Sequence, residues 1–137
     1  KRNIMYSAIV LDEKSHLKLV DWANDNIKVG GVKLPILVQR EGWEMVCHHM
    51  TIKFPGTPEF VKPYLDSVQK LEVISVSVSD KVIAVRVVGF HSENKIPHIT
   101  IAVNVKDGGK PVMSNQLKSW TSVVPVVKLT GIVKEIP

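Results

Sequence analysis

Apolar and polar positions alternate along most of this chain with the two-residue period of a strand, and in one stretch they switch to the period of a helix. Residues 4–12, from Ile4 to Asp12, are too apolar and too β-branched for a surface loop, which predicts a buried strand. From Ser15 onward His16, Leu19, Val20, Ala23 and Ile27 recur at helical spacing. This predicts an amphipathic helix with Ser15 as N-cap and Gly30-Gly31 beyond its end. Residues 28–42 hold two adjacent glycines, Pro35 and Gly42, and read as an irregular connection.

Residues 43–54 alternate as one strand. Cys47, His49, Thr51 and Lys53 share one face, and Val46, His48, Met50, Ile52 and Phe54 share the other. Pro58 and Pro63 limit the next stretch to short turns, the second over residues 64–70. Residues 71–78 and 82–90 read as strands joined at Ser79-Asp80-Lys81, a hairpin. A polar loop over 91–95 leads into a strand opening at Pro97, and Asp107-Gly108-Gly109-Lys110-Pro111 ends it. Residues 114–120 read as a short helix and residues 123–136 as a closing strand, with Pro125 near its start.

This order lacks the regular βαβ alternation of a doubly wound sheet. It predicts an α+β domain of largely antiparallel sheets, with two similar lobes. At 137 residues, 45% apolar and 23% charged, the chain has the length and composition of a single folded domain, 1–137. The first residue is Lys1 rather than Met, which fits a domain excised from a longer protein, and a monomer or one part of a multidomain chain is expected. The net charge of +5 comes from scattered Lys and Arg and favours an anionic partner. The single cysteine, Cys47, has no internal disulfide partner. There is no signal-peptide pattern and no apolar run of membrane-spanning length, so a cytoplasmic location without membrane attachment is expected.

Two short runs carry the chemistry. His49-Met50-Thr51-Ile52 and His98-Ile99-Thr100-Ile101 both read His, apolar, Thr, apolar, and they lie 49 positions apart. On a strand, each run puts its histidine and threonine on one face and two apolar residues on the other. Phosphodiester cleavage needs a nucleophile deprotonated, a leaving oxygen protonated and phosphoryl charge stabilised. Imidazole titrates near 6.5, so one histidine can serve as base while the other serves as acid, and the threonine hydroxyls can donate to phosphoryl oxygens.

Two His-x-Thr-x motifs on strands of a small α+β domain resemble the two-histidine phosphoesterase superfamily. Its members include RNA 2′,3′-cyclic phosphodiesterases and the corresponding domains of tRNA ligases. They also include phosphodiesterases of 2′,5′-oligoadenylates and of cyclic oligonucleotide signals. The resemblance implies two pseudo-symmetric lobes of antiparallel sheet flanking a central cleft, with helices packed on the outside. It implies His49 and His98 as the acid/base pair and Thr51 and Thr100 as phosphate ligands. It also implies a metal-independent hydrolase of RNA repair and processing that opens a 2′,3′-cyclic phosphate on an RNA end or nucleotide to a 2′-phosphate.

Rival readings are a phosphodiesterase of 2′,5′-oligoadenylates or cyclic oligonucleotides, and a non-catalytic RNA-binding module that keeps the motifs for phosphate recognition. Further candidate substrate contacts are Lys53, on the motif face, and Tyr6, Trp43 and His91, with Trp43 foremost among the aromatics. His48 falls on the opposite strand face and reads as structural. Cys47, His48, His49, His91 and His98 fall at no recurrent zinc spacing, so neither a metal nor a cofactor is expected. The absence of a G-x-S-x-G elbow leaves a serine hydrolase unsupported.

Overall fold

The structure, a computed structural model, describes residues 3–137. Strand β1 (Tyr6–Leu11) runs into helix α1 (Glu13–Asn26). The helix is capped by Asp12, not Ser15: the Asp12 carboxylate accepts the Ser15 N–H at 2.7 Å. Ser15 lies inside the first turn, buried, and its hydroxyl accepts the Thr130 N–H at 2.8 Å, which ties α1 to the last strand. One stripe of α1, with Leu19 and Ala23, is buried, while Lys14, Lys18, Asp21 and Asp25 face solvent.

The stretch expected to be irregular is ordered. β2 (Lys28–Val29) and β3 (Val32–Lys33) form a hairpin, with Gly30 and Gly31 in the left-handed conformation that such a tight turn requires. Helix α2 (Leu34–Arg40) follows with Pro35 in its first turn, where the missing N–H costs no hydrogen bond.

The expected single strand over 43–54 is two, β4 (Trp43–Met45) and β5 (His49–Lys53). A 3₁₀ turn spans Glu59–Tyr64, so the turn expected over 64–70 gives way to β6 (Val68–Val78). β6 pairs with β7 (Val82–Val88) as a hairpin closed by Ser79. β8 (His98–Asn104) follows the 91–96 loop. The helix expected over 114–120 is instead a 3₁₀ segment, Pro111–Gln116, after which Leu117 turns extended. The closing strand β9 (Thr121–Ile136) is longer than expected and pairs with both β1 and β6. Its Pro125 lies between Ser122 and Val127, where the ladder shifts register and no N–H is demanded of it.

Seven of the strands form a continuous antiparallel sheet in the order β4-β8-β5-β1-β9-β6-β7, separate from the β2-β3 hairpin, and β7 also pairs with β8. Six of them therefore close into a barrel: β8, β5, β1, β9, β6 and β7. The molecule is a mixed α+β domain, mostly antiparallel sheet, with few helices. The apolar face of the sheet, including Ile9, Met50, Ile52, Leu71, Val85, Ile99 and Leu129, forms one core with Leu19, Ala23, Leu34 and Leu37 of the helices. Burying each large aliphatic side chain contributes about 1.5–3 kcal/mol, so this face decides which way every strand is turned. Residues 82–85 of β7 and 101–104 of β8 are buried on both faces. Among the described residues no helix is long and apolar enough to cross a membrane.

Candidate active site

The two motifs lie on neighbouring antiparallel strands. Met50 of β5 pairs with Ile99 of β8, and both are fully buried. In an antiparallel ladder this register sets His49 opposite Thr100 and Thr51 opposite His98. Each motif's histidine and threonine therefore flank the buried pair along their own strand. All four polar side chains line one cavity of about 500 Å³.

β5 obeys strand alternation only across the motif, because both its flanks break it. On the N-terminal side Cys47 has φ 58, a left-handed conformation unusual for a residue with a side chain. This turns Cys47 into the core and Val46 into the cavity wall. On the C-terminal side the β1/β5 register shifts between Ser7 and Ala8, adding one residue to β5 between Thr51 and Lys53. Such a bulge reverses the side-chain faces beyond it. Phe54 consequently joins the cavity lining, and Lys53 does not.

These breaks sort the other candidates. Tyr6 lines the cavity, its ring centroid 5.5 Å from that of His49 and 6.1 Å from that of Phe54. Trp43 does not: only 4% exposed, it belongs to the core, because the reversal at Cys47 inverts the parity of everything before it. His91 also stays out of the cavity lining. It pairs with Glu93 and meets the Phe60 ring edge-on. His48 stacks on His16 with ring centroids 4.7 Å apart, outside the cavity. His16 in turn donates through Nδ1 to the Cys47 carbonyl at 2.8 Å, bracing the kinked backbone.

The remaining wall comes from outside the motif strands. Asn94 stands on the loop after β7, and Pro111, Val112 and Asn115 stand on the 3₁₀ segment. The loop is pinned to β5 by Ser92 Oγ donating to the Thr51 carbonyl (2.7 Å) and by Glu93 N–H donating to the Ile52 carbonyl (2.6 Å). Ser114, 2% exposed, hydrogen-bonds the Thr100 hydroxyl at 2.9 Å. That contact joins segments 14 positions apart, and no local pattern announces it.

The electrostatics of the two histidines differ. His98 Nδ1 donates to the Ile96 carbonyl at 2.8 Å, so the neutral ring carries its lone pair on Nε2. Burial pushes the His98 pKa below the ordinary imidazole value, and this hydrogen bond partly opposes the shift. Burial also lowers His49, and the charges on His48 and His98 push it further in the same direction. Protonation of both rings at once is therefore resisted by like charge. The neighbouring Cys47 thiol is pushed up to about 12 by burial, so it stays protonated and inert. Among the described residues no three His, Cys, Asp or Glu side chains gather as a metal site.

Compared with protein-family models and with curated proteins, the chain matches none.

Proposed function

We propose that this chain is a phosphodiesterase of the two-histidine type that hydrolyses a 2′,3′-cyclic phosphate on an RNA end or nucleotide to a 2′-phosphate without a metal. The observation that carries the reading is the Met50/Ile99 pairing, which offers a phosphate two histidines and two hydroxyls in diagonal arrangement on one cavity wall. In-line displacement at phosphorus needs a base and an acid on opposite sides of the reacting atom, and a diagonal pair supplies both. We read β5 and β8 as belonging to two lobes, one bearing each motif, with the cavity as the cleft between them.

In this reading His49, whose protonation the charge on His98 opposes, takes a proton from water as the water oxygen bonds to phosphorus. The bond from phosphorus to the 3′ oxygen breaks, and His98, which carries the resting proton on Nε2, gives it to that oxygen. Water and the cyclic ester become a 2′-phosphate and a free 3′ hydroxyl, and solvent resets both rings. Thr51 and Thr100 donate to the two free phosphoryl oxygens. Thr100 can do so because Ser114 is able to donate to its oxygen, leaving the Thr100 proton for the substrate.

The test is a panel of phosphodiesters in excess EDTA, with products identified by mass and by phosphate position. The panel includes a 2′,3′-cyclic nucleotide, a 2′,5′-oligoadenylate and a cyclic oligonucleotide. Metal-free opening of the 2′,3′-cyclic phosphate is expected. His49→Ala and His98→Ala should each lower that rate by about 10²–10⁴-fold with the fold intact. Full activity in either variant overturns the assignment, and RNA binding without any product supports a binding module instead.

A further inference from the structure

A second cavity, of about 550 Å³, adjoins the first and shares Asn94 and Asn115 with it. We propose that it is the subsite for the nucleotide next to the scissile phosphate, so that the substrate is the end of an RNA oligonucleotide rather than a free nucleotide. This inference rests on the phosphodiesterase reading.

The two cavities differ in chemistry as neighbouring nucleotide subsites would. Around the motifs the first is walled by Tyr6, Val46, Phe54, Pro111 and Val112, apolar surfaces against which a base and sugar can pack. The second is lined by three residues with side-chain amides: Asn94, Asn115 and Gln116. Each amide both donates and accepts, the combination needed to meet the Watson–Crick edge of an unpaired base. Lys95, before β8, and Lys118, after the 3₁₀ segment, also line it and supply positive charge suited to the phosphate linking two nucleotides. The acidic residue of this lining, Glu93, has its carboxylate engaged by His91, which limits its repulsion of a phosphate.

The second cavity is also built from the groups that hold the catalytic strand. One wall carries Ile96, whose carbonyl accepts the His98 Nδ1–H. The other carries Ser114, bonded to the Thr100 hydroxyl. An occupant touching both walls therefore presses on the two segments that orient His98 and Thr100. A longer substrate should gain in turnover as well as in affinity.

The experiment compares kcat/KM for a 2′,3′-cyclic mononucleotide with that for a trinucleotide ending in the same cyclic phosphate. The trinucleotide should be favoured by roughly tenfold or more. Gln116→Ala, and Lys95→Ala combined with Lys118→Ala, should each remove most of that ratio. A charge-matched control, Lys14→Ala with Lys128→Ala on the α1/β9 surface, should keep it. Equal kcat/KM for both lengths, or a ratio untouched by the first two variants, overturns the subsite.

A second measurement stands apart from catalysis. Fluorescence anisotropy reads binding of a labelled trinucleotide 2′-phosphate to the His49→Ala protein. Binding weakened by Gln116→Ala and by the Lys95/Lys118 pair, but not by the control, supports the subsite even if no substrate is turned over, and in that case only the phosphodiesterase reading fails. Binding that all variants leave unchanged overturns the subsite directly.

Discussion

Met50 and Ile99 are cross-strand partners with no exposed surface, and the four polar residues of the candidate site flank them along β5 and β8. One residue to either side of the pair, the chain turns from core to cavity. Packing and site geometry therefore share a hinge point. Truncating either partner leaves a void beneath the motifs, and the Met50→Ala and Ile99→Ala variants should each lose about 2–5 kcal/mol of stability. Urea unfolding measures this. Thr51→Ala, on the cavity face of the same strand, should change the midpoint little while lowering turnover.

The pH dependence follows from the direction of both histidine shifts. Burial lowers His49 and His98, and the free site works with one ring neutral and the other charged. The bell of log kcat/KM against pH should therefore have both limbs below about 6.5, the ordinary imidazole value. Activity then already falls as pH rises through neutrality. A bound phosphate anion favours imidazolium, so the limbs of kcat should lie higher than those of kcat/KM. His48→Ala removes one of the charges opposing His49 protonation and should raise the lower limb. Imidazole NMR titration of the free protein should find His98 gaining its proton before His49, and the reverse order would exchange the acid and base roles. Stability carries the same sign: folded pKa values depressed below the unfolded one give a contribution that is complete above about pH 6.5 and lost as pH falls.

Ser114 touches Thr100 rather than the cavity of the motifs, and so acts as a positioning residue. Ser114→Ala should lower kcat roughly tenfold with a smaller change in KM, the loss expected for one misdirected hydrogen bond to a charged group. The pH limbs should stay in place. Once Thr100 is gone Ser114 has nothing to direct, so Thr100→Ala with Ser114→Ala should be no slower than Thr100→Ala alone. Additive losses would show that Ser114 acts by another route.

Much of this was legible because periodicity records burial. The alternation at His49-Met50-Thr51 and His98-Ile99-Thr100 identified the inward and outward faces of both motif strands. The β6/β7 hairpin declared itself through its polar turn. What escaped was whatever depends on a backbone irregularity or on a distant partner. Cys47 adopts its left-handed conformation in a sequence with no glycine at that point, and the reversal there sent Trp43 into the core instead of the cavity. Asp12 and Ser15 are both good N-cap residues. Choosing between them required the Thr130 N–H that claims the Ser15 hydroxyl from 115 positions away. Barrel closure through β7 and β8 is likewise a long-range pairing, and no local pattern encodes it.

The bulge after Thr51 can be tested on two adjacent side chains. Unbroken alternation would place Lys53 in the site and Phe54 on the core side, whereas the register shift puts Phe54, 66% exposed, into the cavity lining opposite Tyr6. An exposed ring at that point is available to stack on a base, an interaction of about 1–3 kcal/mol. Phe54→Ala should therefore raise KM for a 2′,3′-cyclic nucleotide by roughly 5–150-fold, the range that energy spans at 25 °C, with little change in stability. Phe54→Tyr should retain the wild-type value, since it keeps the stacking face. Lys53→Ala should leave KM within about twofold at fixed ionic strength, because a cation outside the lining contributes only screened, long-range attraction. A large KM effect at Lys53 with none at Phe54 would mean that β5 keeps regular alternation through residue 54 and that the bulge is absent in solution.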